Sequence, residues 1–238
     1  MELAKEEVQG NPSASQTARE FAAISVAHAE SGCHNLFRQH GFSAPVEISY
    51  IDLDPPRLKK FPMVMFSDWA KLLLKTGRFC RLMCGAGNFS QMRELLTEFW
   101  DRYKVLYPGH EIFTMDGVNL SMTVPVYSHT DEGRSYKHQP LWVLSTHGCI
   151  GRGTRSYIAR KHHLLPLHQR PMGLNFVGST WSTQFMSAAV LRATLNDTPG
   201  SMDKIVEAFA MDMSKLAIEG LECPEGHIRV IHLGTKGF

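Results

Sequence analysis

The sequence predicts an α+β fold, mixed α/β in character: a helical lead-in followed by a small mixed sheet with flanking helices. Three observations carry this. Apolar residues recur at helical spacing through the first half of the chain; at Glu111 the period changes to an extended one; beyond that point short β-branched runs bracket two further helical stretches. The organisation expected is a disordered N-terminus over 1–14, a mainly helical lead-in over 15–110, and a sheet domain over 111–238 with a basic loop at 148–171.

Each element has its own signal. Phe21, Ile24, Ala27, His28 and Leu36 give a helix from Gln16 to about His40, interrupted near Gly32. Val46–Asp52 alternates and reads as a strand ended by Pro55-Pro56, and Phe61–Phe66 is apolar and extended. Ser67 is a candidate N-cap for a helix that Gly77 stops, and a small helix follows to about Met83. Asn88 with Gln91 forms a capping-box pattern opening an amphipathic helix (Met92, Leu95, Leu96, Phe99, Trp100, Tyr103) that Pro108-Gly109 closes. Asn119–Ser128 is a strand whose internal Pro125 argues for an edge position or a bulge. His129–Gly133 reads as its end or turn, and Leu141–Thr146 as the return strand. A short helix is expected near Ser156–Lys161 and a third strand at Asn175–Val177. Helices follow over Thr183–Leu195 and from Ser201 to about Gly220, and His227–Leu233 is the last strand.

Composition sets outer limits. At 238 residues, 43% hydrophobic and 10% aromatic, the chain can bury an ordinary core, which excludes wholesale disorder. The N-terminus lacks the basic start and apolar run of a secretory signal, and no stretch is apolar for the roughly 18 residues of a membrane span. Five scattered cysteines suit reduced thiols. An intracellular protein, nuclear or cytoplasmic and without a membrane partner, is therefore expected.

Charge is segregated. Between Gly133 and Asn196 there is no acidic residue, yet the segment carries Arg134, Lys137, Arg152, Arg155, Arg160, Lys161, Arg170 and Arg192. The chain has 25 basic and 23 acidic residues, so these eight leave 17 against 23 for the remainder. Such a segment must find anions elsewhere, on acidic surfaces of its own fold, on a partner protein or on phosphates. Arg152, Arg155, Arg160, Lys161 and Arg170 interleave with Tyr157, His162, His163 and His168, and point charges beside aromatic faces suit a nucleic-acid backbone.

Asp131 and Glu132 are the last carboxylates before this segment. A carboxylate beside a central strand is how phosphoryl-transfer sites hold Mg²⁺, so Asp131 is the candidate metal ligand and Asp131 and Glu132 the candidate catalytic pair. Asp-Glu-Gly is equally ordinary turn chemistry. Further acids by position are Asp197, Asp212 and Glu219. Gly148-x-x-Gly151-x-Gly153 is a weak phosphate-cradle pattern, since Thr154-Arg155 follows where Lys and Ser/Thr would be required. His147 with Cys149, the 162–168 histidines, Cys223 with His227 and Cys80 with Cys84 are partial ligand pairs without zinc-module spacing. The four tryptophans read as core.

Four segments carry a resemblance: Tyr127–Lys137, Leu141–Thr154, Met172–Met186 and His232–Gly237. From about Phe61 onward the chain resembles an uncharacterised family expanded in dinoflagellate genomes. The order of an acidic strand hairpin, two helices and a further strand is also similar to the ribonuclease H-like cores of cut-and-paste transposases. The resemblance implies relatives that continue past the final strand as Gly-Asp, with Phe238 standing at the position of that aspartate. Asp131 would then match the first metal-binding aspartate, and a truncated ribonuclease H-like core would lack the second.

The leading expectation is a nucleic-acid-binding protein, DNA before RNA, using Arg134, Lys137, Arg152, Arg155, Arg160, Lys161 and Arg170. It would be a catalytically incomplete transposase-like remnant, with Mg²⁺ as cofactor only where catalysis survives. The alternatives are a non-enzymatic protein-interaction domain using 134–170 and a metal-independent enzyme using Cys or His.

Overall fold

The computed structural model describes residues 2–41, 43–53, 60–134, 140–151, 173, 175 and 183–236. They fall into two units, Met1–Pro45 and Val46–Phe238. The helices of 66–106 thus belong with the sheet, and the division lies near 45 rather than near 110.

In the N-terminal unit, α1 (Glu2–Val8) stands where the sequence predicts disorder. Glu, Leu, Ala and Lys are strong helix formers, and Gly10 at φ 75° accommodates the left-handed turn after the helix. Ser15 opens α2 (Gln16–Ala23) by accepting a hydrogen bond from the Ala18 amide. The interruption before α3 (Ala29–Gln39) lies at Ile24–His28, not at Gly32. Gly32 sits inside α3, where a Cβ would stand 2.6 Å from Ile24 Cγ2, so this glycine serves close packing. His40 pairs with Glu20, and Phe21 meets Phe37 edge to face at 5.5 Å, holding α2 to α3.

The second unit opens with a hairpin, β1 (Ser49–Asp52) antiparallel to β2 (Lys60–Met63). α4 (Phe66–Lys75) follows, with Met65 rather than Ser67 at the cap position. α5 (Phe79–Cys84) ends at Gly85, whose φ of 65° only glycine adopts freely. α6 (Phe89–Leu106) begins as predicted: Asn88 Oδ1 accepts from the Gln91 amide at 2.9 Å. The reciprocal bond goes one residue upstream, from the Gly87 amide to Gln91 Oε1.

The main sheet is mixed, in the order β5-β4-β3-β7-β6. β3 (Thr123–Arg134) and β4 (Pro140–Gly148) form a long antiparallel hairpin, and β5 (Phe185–Leu191) adds antiparallel to β4. After α7 (Arg192–Asn196) and α8 (Ser201–Ile218), the chain turns through β6 (Leu221–Cys223) into β7 (Gly226–Lys236), which lies parallel to β3.

Two predictions change here. The helix expected over Thr183–Leu195 is a strand followed by one short helical turn, because pairing with β4 overrides the weak preference of Phe-Met-Ser-Ala-Ala-Val-Leu. The strand therefore runs where a helix was expected, while Phe176 and Val177 of the predicted third strand, and the predicted helix at 156–161, lie outside the described residues. Pro125 sits in a central strand. It lies just past the last β3–β4 pair, Val126 with Gly148, where its missing N–H costs no ladder bond, and its carbonyl accepts from the Cys149 amide. The register with β7 shifts immediately after it, between Val126 and Tyr127.

One face of the sheet is helix-covered. Val124 and Val126 on β3, Trp142, Leu144 and Gly148 on β4, Ala188 and Val190 on β5, and Ile228 and Val230 on β7 are buried with Met83 and Cys84 of α5 and Ile205, Phe209, Met213 and Leu216 of α8. α6 is fixed at the start of β3, where the buried Trp100 indole donates to Thr123 O at 2.8 Å. Trp100 and Trp142 belong to this core and Trp69 packs against it, while Trp181 lies outside the described residues. Among the described residues no helix is long and apolar enough to cross a membrane.

Candidate nucleic-acid interface

Strand alternation determines which predicted residues can act together. Asp131 lies opposite Val143 of β4 and is exposed, two residues past the last β3–β7 pair, His129 with Lys236. Glu132 is opposite Trp142, and successive side chains on a strand point to opposite faces. The predicted catalytic pair is therefore split across the sheet. Glu132 is moreover engaged in an ion pair with Arg192 Nη1, each side chain 40% exposed. Among the described residues, Glu132 thus has a charge partner and Asp131 has none.

The other acids have structural partners. Asp212 Oδ2 accepts from the Ser67 amide at 3.0 Å, satisfying a first-turn N–H of α4 that has no partner within the helix. Glu219 stands 3.8 Å from Lys215 one turn back. Among the described residues, no group of three or more His, Cys, Asp and Glu side chains is placed to hold a metal ion.

Of the predicted nucleic-acid contacts, Arg134 is the last residue of β3, its backbone opposite Pro140. Lys137, Arg152, Arg155, Arg160, Lys161 and Arg170 lie outside the described residues.

The glycine-rich run has a packing explanation. A Cβ on Gly148 would stand 1.9 Å from Met83 O, so only glycine lets β4 approach α5 this closely. A Cβ on Gly151 would meet Asn175 Cα at 2.5 Å, beside the Gly151–Gly173 bridge. Asn175 is 6% exposed and its amide donates to Arg81 O and Leu82 O at 3.1 and 2.7 Å, adding to the Gly85 amide that Arg81 O already accepts and fixing the last turn of α5.

The other sheet face carries a cluster that sequence reading did not single out. Tyr127 on β3 faces His147 on β4 in register, with ring centroids 6.3 Å apart. Gly234 on β7 is opposite Tyr127 and Lys236 is opposite His129. Lys236 Nζ stands 5.8 Å from the Tyr127 ring centroid. Tyr127, His129 and Asp131 are spaced by two on one strand, which is the sequence signal, but only the register of three strands brings His147 and Lys236 beside them. Burial holds the His147 pKa below its ordinary value, and Lys236 and His129 add repulsion in the same direction.

No family model, curated protein or solved structure matches this chain.

The chemistry of the cluster follows from its own groups. Burial pushes the Cys149 and Cys84 thiols well up, and Cys80 to about 11, so these sulfurs stay protonated at neutral pH. A nucleophilic cysteine requires the opposite shift. Among the described residues the face offers one ammonium, two imidazoles and a half-buried phenol, with Asp131 as the sole carboxylate on β3, β4, β5 or β7 besides Glu132, which lies on the other face and pairs with Arg192. That set suits contact with an anion that also presents flat rings.

Proposed function

We propose that the chain is a nucleic-acid-binding protein, DNA before RNA, in which the cation-rich segment 134–170 and the β3–β4–β7 face both contact phosphates. The observation that carries the reading is the convergence of His129, His147 and Lys236 around Tyr127 at the end of β4, from which the chain runs directly into Arg152, Arg155, Arg160 and Lys161. Neutralising phosphates with Lys236 and these arginines and lysine releases condensed counter-ions, which makes binding strong at low salt and steeply salt-dependent.

The scaffold lends fold-level support. Three antiparallel strands, a helical crossover and a strand returning parallel to the first is a connectivity similar to that of ribonuclease H-like cores, an analogy that bears on fold and not on activity. The reading assigns binding rather than cleavage to the described residues: a two-metal phosphoryl-transfer site requires several carboxylates on one face, and Asp131 has no acidic neighbour on its own. Should Mg²⁺ bind, Asp131 is the residue that would hold it.

The test is titration of the purified protein with labelled single- and double-stranded DNA and RNA at about 50 mM salt. Binding to at least one class is expected, and binding to none overturns the reading. The Arg192–Glu132 ion pair favours a second reading, in which the basic segment docks on acidic protein surface; it would give no nucleic-acid binding and retention on an acidic protein matrix.

A further inference from the structure

The face around Tyr127 has a geometry that simple phosphate attraction does not require. Gly234, directly opposite Tyr127, has no side chain, and a Cβ there would stand 3.3 Å from Tyr127 Cε1. One edge of the phenol ring, Cδ1 and Cε1, therefore lies against β7 at Gly234. His147 flanks it at 6.3 Å with its ring tilted by 38°. Lys236, one strand away, places its ammonium over the ring, 5.8 Å from its centroid, and His129 is the residue opposite Lys236. Tyr107 follows α6 and is 57% exposed, in van der Waals series with Tyr103 at 4.9 Å between centroids. Its hydroxyl is close enough to Tyr127 to add, after burial and Cys149, to the raised pKa of that phenol.

A ring packed on strand backbone, with a long, exchangeable ammonium side chain over its face, can serve as a stacking platform once the ammonium swings aside. Every base has a π-face, but in a duplex that face is covered by its neighbours, so a flat aromatic on a sheet reads unpaired strands. Resting on the nucleic-acid reading above, we propose that this face binds single-stranded nucleic acid by stacking a base on Tyr127 in place of the Lys236 ammonium, which moves with His129 onto the adjoining phosphate. His147 borders the stacked base, and Gly234 is the position whose lack of a side chain lets the platform lie flat. Duplex binding, in contrast, falls to the cations of 134–170 and does not use the ring.

The experiment compares an oligothymidylate of about 20 nucleotides with a duplex of about 20 base pairs by fluorescence anisotropy at one salt concentration. Wild type, Tyr127→Leu, Tyr127→Phe and Lys236→Gln are measured, with thermal melts to establish folding. Tyr127→Leu keeps apolar bulk over Gly234 but has no π-face; it is expected to weaken single-strand binding about tenfold or more while duplex affinity stays within about twofold. Tyr127→Phe should match wild type. Lys236→Gln should lower the single-strand salt slope by about 0.7, whereas Tyr127→Leu should leave it unchanged. A folded Tyr127→Leu protein with unaltered single-strand affinity, or with equal loss on the duplex, overturns the stacking site while leaving nucleic-acid binding in place. Wild type that binds neither probe removes both readings. If Tyr127→Leu does not fold, Tyr127→Trp replaces it: oligothymidylate should quench its emission beyond that of wild type, and no added quenching overturns the proposal.

Discussion

Replacing Gly148 by alanine should be among the most damaging single-methyl changes available in this chain. Its backbone is not left-handed, so the effect is steric alone. The new Cβ would stand 1.9 Å from Met83 O and 2.9 Å from Met83 C. A carbon–oxygen contact relaxes at about 3.3 Å, so β4 and α5 must separate by roughly 1.4 Å. α5 cannot yield easily: Phe79, Met83 and Cys84 are at most 1% exposed, and Asn175 grips its last carbonyls. Overpacking a core costs about 1–3 kcal/mol, and a clash with backbone belongs at the upper end, so about 3 kcal/mol is expected. For a domain of this size that lowers Tm by about 6–12 °C. Gly133→Ala, which meets nothing within 4 Å, is the matched control and should change stability by less than about 0.5 kcal/mol. Urea and thermal unfolding of both variants decide the matter. A Gly148→Ala protein within about 1 kcal/mol of wild type would refute the packing of β4 on α5.

Asp212→Ala should cost about 1 kcal/mol in urea unfolding by leaving the Ser67 amide of α4 without its acceptor, and Asp212→Asn should recover most of it. His147 and His232 are both held neutral by burial, below their ordinary 6.5, so the unfolded chain takes up protons that the folded one refuses. Stability should therefore fall as pH drops through 6.5 toward 5, seen as a declining urea midpoint; His147→Gln should flatten that decline, and a midpoint that rises on acidification would contradict the burial of both rings. Asp131→Asn removes the carboxylate on the cationic face and should tighten nucleic-acid binding modestly, by less than about tenfold, in anisotropy titrations without metal. If it instead weakens binding only when Mg²⁺ is present, Asp131 is a metal ligand. Glu132→Gln should shift stability by less than about 1 kcal/mol, as expected for an ion pair with both partners 40% exposed.

How much of this was legible depended on whether the signal was local. Asn88 and Gln91 announce α6 because a cap and its acceptor lie within one turn. The β3–β4 hairpin and β7 show as β-branched alternation, and so does the switch from helices to sheet. β5 was hidden because Ser-Ala-Ala is small and indifferent to helix or strand; its state is set by β4 alongside it. The site was half legible for the same reason. Asp131 and Glu132 are adjacent in sequence, which suggested a pair, but the pleat sends them to opposite faces, and Arg192, sixty residues on, claims one of them. Tyr127, His147 and Lys236 are scattered in sequence and meet only through a three-strand register with a bulge in it. The glycines of 148–151 looked like a phosphate loop because glycine is permissive for ligands and for backbone neighbours alike; which neighbour it is depends on the fold.

If the acid-free segment meets phosphates, as proposed, binding must depend on salt. Wild type should bind DNA with a log–log slope of about −3 or steeper, and the variant carrying Arg152→Gln, Arg155→Gln, Arg160→Gln and Lys161→Gln should lose about 0.9 of slope for each cation that contacts a duplex phosphate. A wild-type slope near zero, or a variant indistinguishable from wild type, would contradict the account.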